Sequence, residues 1–328
     1  MSRPLFDLPL AELRSYRSAA TAPDELDEFW RSAIAAARAA AFEPTLEPYR
    51  ADVYRGLDAT DVTFAGADGD PVRAWYLRPA GSGETPLPCR VAFVGYGGGR
   101  DLPAAHGLYP ACGYATFVMD TRAQGGTWSA GDTPDPGAGA SSAEHPGVMT
   151  RGIASPETYY YGRLYVDAVR AVETAAALPG VDPLRLMVAG QSQGGALALA
   201  AAALLPNAVR LCHADVPFLC DFPRAVETAI DPPYTELVTY LGIHRELEPA
   251  VWRTLSYFDN AVLAPRITAR TAIGVGLRDT ITPPSTVFAA YNAIGADKEI
   301  VVFPYSGHVL PTSHAEWQLA DVARVLGD

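Results

Sequence analysis

Short apolar runs recur down the last three quarters of the chain. They are "VAFVGY" (91–96), "ATFVMD" (115–120), "LRLMVAG" (184–190), "VRLCHAD" (209–215), "TAIGVG" (271–276) and "EIVVFP" (299–304). Each is short enough for a strand. Between them the spacing changes. In 158–178 the apolar positions Tyr161, Leu164, Tyr165, Ala168, Val169, Val172 and Ala176 fall on one helical face. Further helices are predicted over 196–205, over 284–295 and from about Ser313 to the end. Strands alternating with helices imply an α/β fold, a mostly parallel sheet with helices on both faces.

Three segments stand outside this alternation. Residues 1–50 are Ala-rich, and "PDELDEFWRSAIAAARAAAF" carries acids early and arginines late, as a helix dipole prefers. They read as an N-terminal helical extension. Residues 61–80 alternate around a Gly-rich turn and read as a β-hairpin. The stretch 222–258 reads as a helical insertion above the sheet, and 121–157 is a long Gly/Pro/Ser/Thr-rich loop of the length that serves function or an interface. All 328 residues are acceptable as one α/β domain with insertions.

A net charge of −12 argues against nucleic acid and anionic membrane surfaces as partners. The N-terminal "MSRPLFDLPLAELRSYRS" has no secretory pattern and no apolar run reaches a membrane span, so a cytoplasmic location is expected. Cys89, Cys112, Cys212 and Cys220 form no C-x-x-C pair and read as buried thiols rather than a disulfide framework or a zinc site.

The chemistry begins at Gly190-Gln191-Ser192-Gln193-Gly194, a G-x-S-x-G match with a predicted strand before it and a helix after it. That is the context of a nucleophile elbow, where a sharp turn lifts the serine above the sheet in α/β-hydrolases. A serine hydroxyl needs a base, and the chain order in that fold is Ser, then acid, then His. Asp279 follows strand 271–276 and His308 follows strand 299–304, in that order. Asp215 and Asp259 compete for the acid, and His314 for the base, although His314 falls inside the predicted closing helix. For an oxyanion hole, the N–H of Gln193 and an N–H from "GYGGGR" (95–100), that of Tyr96, are the candidate donors. Gly95 and Gly97 begin a G-x-G-x-x-G pattern, but Arg100 stands in its sixth place, so a dinucleotide site is rejected.

The chain resembles carbohydrate esterase family seven, the acetyl xylan esterases and cephalosporin C deacetylases. The resemblance runs from "EFW" near residue 28 to the closing helix and is carried by "VMDTRAQG", "GDTPD", "PGVMTRGI", "TYYYGRLYVDAVRAVE", "GQSQGG", "DVPFLCDFPRAV", "RTLSYFDN" and "PPSTVFAAYN". It implies an α/β-hydrolase fold, a serine esterase for acetyl groups of xylooligosaccharides and cephalosporin C, no cofactor or metal, and a homohexamer with 121–157 as an interface element. By the same resemblance Ser192, Asp279 and His308 match the triad, and Tyr96 and Gln193 the oxyanion hole. Tyr96, Pro217 and Phe218 are expected in the wall of a narrow acyl pocket. Arg122 and Gln124 match two positions of the family's R-G-Q element, whose middle glycine is Ala123 here, and read as structural braces near the site. Val309 stands where the family has a glutamate after the histidine. That departure keeps two other readings open: a broad short-chain carboxylesterase with a non-sugar substrate, and a silent binding or assembly protein.

Overall fold

The computed structural model describes residues 6–136 and 147–327. Nine strands form one sheet in the order β1-β2-β3-β5-β4-β6-β7-β8-β9. The first three are β1 (Thr45–Pro48), β2 (Leu57–Ala65) and β3 (Pro71–Pro79). They run antiparallel, with β2 and β3 paired from Leu57↔Pro79 to Ala65↔Pro71 as the expected hairpin. The edge strand β1 lies inside the segment expected to be helical. All four of its residues are exposed, so it carries no apolar alternation to reveal it.

The remaining strands are β4 (Leu87–Phe93), β5 (Ala115–Met119), β6 (Val181–Gln191), β7 (Leu211–Asp215), β8 (Arg270–Gly276) and β9 (Lys298–Phe303). They are mutually parallel, and β3 pairs antiparallel with β5. After β4 the chain builds β5 on one side, then crosses to place β6 on the other. The crevice beyond the C-terminal ends of β4 and β6 is therefore the topological switch point, where open α/β sheets hold ligands.

Alternate residues of β6 serve opposite faces. Val188 joins the large core beneath helices Tyr160–Ala177 and Gln193–Leu204. Met187 and Ala189 pack with Tyr109, Val322 and Leu326, beside the closing helix Ser313–Leu326. Within the N-terminal extension, helix Leu26–Ala39 buries Leu26, Trp30, Ile34 and Ala37. Trp30 Nε1 donates to the carbonyl of Tyr257, tying the extension to the insertion. That insertion comprises helices Phe222–Thr228, Tyr234–Ile243 and Glu248–Ser256. Residues 137–146, the middle of the expected interface loop, lie outside the described residues.

Candidate active site

Strand β6 runs directly into Ser192, which precedes helix Gln193–Leu204 with φ 58° and ψ −119°. A non-glycine residue in that region costs roughly 1–3 kcal/mol, and the surroundings must hold it there. Ser192 N–H donates to the carbonyl of Asp215 (2.9 Å), and the Ser192 carbonyl accepts from Ala196 (2.9 Å) and Phe218 (3.0 Å). The flanking glycines are set by close approach. A Cβ on Gly190 would stand 2.3 Å from the backbone of Gly194, and one on Gly194 would stand 2.2 Å from the carbonyl of Phe93. The G-x-S-x-G spacing is thus the condition for β6 to fold tightly onto the next helix and against β4.

Beyond β8, Asp279 is fully buried. Its Oδ1 accepts from the N–H of Ile281 (2.9 Å) and Thr282 (3.0 Å), and its Oδ2 from Thr282 Oγ1 (2.8 Å). The remaining partner is His308, whose Nδ1–H donates to Asp279 Oδ2 at 2.8 Å. This bond fixes the tautomer and leaves Nε2 as the open nitrogen. The competing acids are occupied elsewhere. Asp215 accepts from His314 Nε2 (2.8 Å) and Gln318 Nε2 (3.0 Å). Asp259 caps the helix Asn260–Leu263 and accepts from the N–H of Asp221, Phe222 and Ala261. His314 lies in the closing helix, paired with Asp215 and away from Asp279.

Ser192 and His308 both line one cavity of about 1020 Å³ at the switch point, together with Tyr96, Trp128 and Ile281. Gln193 opens its helix, so its N–H is among the first-turn donors that have no intrahelical partner. The loop bearing Tyr96 is held from several sides. Gly97 N–H donates to Gln124 Oε1 (2.6 Å), Trp128 Nε1 donates to the Tyr96 carbonyl (2.8 Å), and Gln193 Nε2 donates to the Val94 carbonyl (3.3 Å). The Tyr96 hydroxyl donates to Glu236 Oε1 (2.9 Å) and accepts from Val148 N–H (2.8 Å). Burial, reinforced by the Glu236 charge, pushes the Tyr96 pKa well up, so it stays a neutral donor.

Gln124 also donates to Tyr160 and to Gln193 Oε1, both at 2.9 Å. Arg122 is fully buried and reaches Asp167 through Nε and Nη2, and Asp70 and Asp135 through Nη1. Burial works against its charge, but these carboxylates outweigh that and raise its pKa further. Through these bonds both side chains tie together the segments they touch.

The three residues expected in the wall lie at different depths. Tyr96 lines the cavity, whereas Pro217 and Phe218 are buried behind it. Phe218 packs edge-on against Tyr96 and at 4.4 Å from the Tyr234 ring. Its N–H donates to the Ser192 carbonyl at 3.0 Å. Pro232, Pro233 and Glu236 of the insertion and Ile281 also line the cavity. Of the four thiols, Cys112 is exposed and the other three are buried, because Cys112 lies just past a short surface helix.

Sequence reading also missed Thr282, whose signal was its place three residues after Asp279, the reach of a local side chain–backbone turn. It missed Gln191, whose Nε2 donates to the His308 carbonyl at 2.8 Å. Trp128, 63% exposed at the cavity mouth, belongs to the same group. Val309 is 78% exposed at that mouth, so the position after His308 faces outward.

The sheet order and the strand–turn–helix at Ser192 define the α/β-hydrolase fold, and the chain is a carboxylic ester hydrolase of that fold. The acetyl xylan esterase (AXE1) family profile matches residues 3–324, and the chain belongs to that family. The acetyl xylan esterase of Paenibacillus sp. R4 superposes with a TM-score of 0.91 at 36% identity, covering 97% of this chain and all of that one. Acetyl xylan esterase 1 of Thermoanaerobacterium sp. superposes at 0.87 with 30% identity, over 97% of this chain and 99% of that one. Acetyl esterase Axe7A of Xylanibacter ruminicola is 33% identical over 164 residues, which is 49% of this chain and 36% of that protein. The match thus spans about a third of that relative's length. Among the described residues no helix is long and apolar enough to cross a membrane.

Proposed function

We propose that this esterase removes acetyl groups from acetylated xylooligosaccharides, and from cephalosporin C-like acetyl esters, through an acyl-enzyme. Ser192 Oγ attacks the ester carbonyl carbon while His308 Nε2 takes its proton. Asp279 holds the imidazole in the tautomer that this requires and steadies the imidazolium that forms. The N–H groups of Gln193 and Tyr96 receive the oxyanion. Collapse breaks the carbonyl carbon–alkoxy oxygen bond, and His308 returns the proton to that oxygen as the sugar alcohol leaves. Water then adds to the acetyl-serine through the same base, and acetate departs with Ser192 restored.

The observation that carries this reading is the His308–Asp279 bond of 2.8 Å beside a serine held at positive φ on the same cavity. The acetyl ester as substrate is supported by membership of the family and by likeness to two acetyl xylan esterases. The assembly that the family resemblance points to is a homohexamer in the cytoplasm.

The test is acetate release from acetylated xylooligosaccharides and cephalosporin C by wild type and by Ser192→Ala, with labelling of Ser192 by a fluorophosphonate. Wild-type release that Ser192→Ala reduces about 10³-fold or more is expected, since losing the nucleophile leaves only binding and the oxyanion hole. Near-normal turnover by Ser192→Ala would remove Ser192 from the mechanism.

A further inference from the structure

The two proposed oxyanion donors stand on segments that the sheet does not hold together. The β4–β6 ladder ends at Phe93↔Gly190, and Tyr96 and Gln193 each lie three residues past that last pair. Both donors must come within about 2.7–3.1 Å of one oxygen. Their separation has to be set by something other than strand pairing.

The side chains of Gln193 and Gln124 bridge this gap, amide to amide. Gln124 Nε2 donates to Gln193 Oε1 at 2.9 Å, and Gln193 Nε2 donates to Gln124 Oε1 at 3.3 Å. Gln193 Nε2 also donates to the Val94 carbonyl (3.3 Å), and Gln124 Oε1 also accepts from Gly97 N–H (2.6 Å). Tyr96 therefore sits between two backbone groups that this pair holds. Two tyrosines at the start of helix Tyr160–Ala177 complete it. Tyr161 Oη donates to Gln193 Oε1 at 3.1 Å. Tyr160 Oη donates to the Arg122 carbonyl (2.6 Å), so toward Gln124 Nε2 (2.9 Å) it accepts. Each amide then uses both its N–H donors and both its lone pairs. Turning the Gln193 amide over would set its oxygen against the Val94 carbonyl. Tyr160, Tyr161 and Gln193 are fully buried. Burial pushes the pKa of both tyrosines up, so their hydroxyls keep their protons. Neither tyrosine lines the cavity.

We propose that Tyr161 and the side chain of Gln193 are positioning residues for the oxyanion hole. With Gln124 and Tyr160 they fix the distance between the N–H groups of Gln193 and Tyr96. The residue after the nucleophile thus gives one donor from its backbone and holds the loop of the other with its side chain. The assignment rests on the oxyanion reading under Proposed function.

The experiment measures kcat and KM on p-nitrophenyl acetate, and inhibition by methylboronic acid. The proteins are wild type, Ser192→Ala, Tyr161→Phe, Gln193→Met, the double variant Tyr161→Phe/Gln193→Met, and Tyr165→Phe. Methylboronic acid takes Ser192 Oγ onto boron and places a hydroxyl where the oxyanion would stand. Tyr161→Phe should lower kcat about three- to tenfold, the effect of one lost hydrogen bond. Gln193→Met should lower it further, toward the roughly 10²-fold lost when an oxyanion donor is removed. KM should move less than about twofold in both, and the inhibition constant should rise in step with the fall in kcat. The double variant should cost no more than Gln193→Met alone, because Tyr161 acts only through that amide. Tyr165→Phe removes a buried hydroxyl further along the same helix, bonded to the Phe258 carbonyl, and should leave kcat and inhibition at wild-type values.

Gln193→Met is the variant more at risk of misfolding, and Tyr161→Phe carries the test without it. Folded variants with wild-type kcat and inhibition overturn the assignment alone. So does a loss of kcat with inhibition unchanged, or an equal loss in Tyr165→Phe. Turnover that survives Ser192→Ala overturns the acyl-enzyme reading, and this assignment with it.

Discussion

The amide of Gln191 donates to the backbone carbonyl of His308 at 2.8 Å, so the residue before the candidate nucleophile holds the loop of its candidate base. Two segments more than a hundred residues apart are joined where their relative position sets the chemistry. Val309, exposed at the mouth, takes no part in this support. A hydrogen bond of this kind contributes about 1 kcal/mol. Gln191→Ala should therefore lower kcat on p-nitrophenyl acetate about three- to tenfold, with KM changed less than twofold. Steady-state kinetics read this directly, and a change in KM alone would make Gln191 a substrate contact instead.

Backbone strain at Ser192 gives a second outcome. Glycine adopts φ 58° without a Cβ penalty, whereas serine does not. Ser192→Gly should abolish turnover yet raise stability by about 1 kcal/mol in urea titration. Gly190→Ala should do the reverse to the fold, because its Cβ would sit 2.3 Å from the backbone of Gly194. A loss of about 3 kcal/mol or more is expected there, and a stability equal to wild type would mean that the elbow can open.

Much of this architecture was legible in the chain because each central strand is an apolar run closed by a turn. The order of Ser192, Asp279 and His308 was legible for the same reason: each follows such a run. What could not be read were contacts between segments distant in sequence. Glu236 reaches Tyr96 from the insertion, and Gln191 reaches His308 across the sheet. Nearness of Pro217 and Phe218 to Ser192 does not tell how deep they lie, and both are buried. The exposed strand β1 lacks any apolar pattern, so only its pairing with β2 reveals it.

The partners of the two rival acids separate them experimentally. Asp279→Asn would put an amide against His308 Nδ1 and favour the other tautomer, with losses of about 10⁴ in kcat known for such an exchange. Asp215→Asn would disturb His314 and Gln318, outside the Asp279–His308 pair. It should cost less than about tenfold in kcat, with some loss of stability. The kcat ranking of the two folded variants is the measurement, and the reverse order would transfer the role to Asp215.

Asp259 supplies a pH dependence of stability that is separate from the site. Burial raises its pKa to about 7, with the charge of Asp221 adding to the rise, although the N–H groups of Phe222, Asp221 and Ala261 work against it. Tyr16 and Ser18 both donate to Asp221, so that neighbouring carboxylate is itself held by hydrogen bonds. A carboxyl whose folded pKa lies above its unfolded value binds its proton more tightly in the native state. Its contribution to stability is therefore complete below about pH 4, the unfolded value. That contribution is lost as pH rises to about 7 and is flat beyond. The span corresponds to about 4 kcal/mol at most. Asp259→Asn removes the titration. The stability difference between wild type and this variant should then be most favourable to wild type near pH 4 and shrink steadily toward pH 7. Urea titrations of both proteins at pH 4.5, 6 and 8 would measure it. A difference independent of pH would mean that Asp259 is ionised throughout, held so by its three backbone donors.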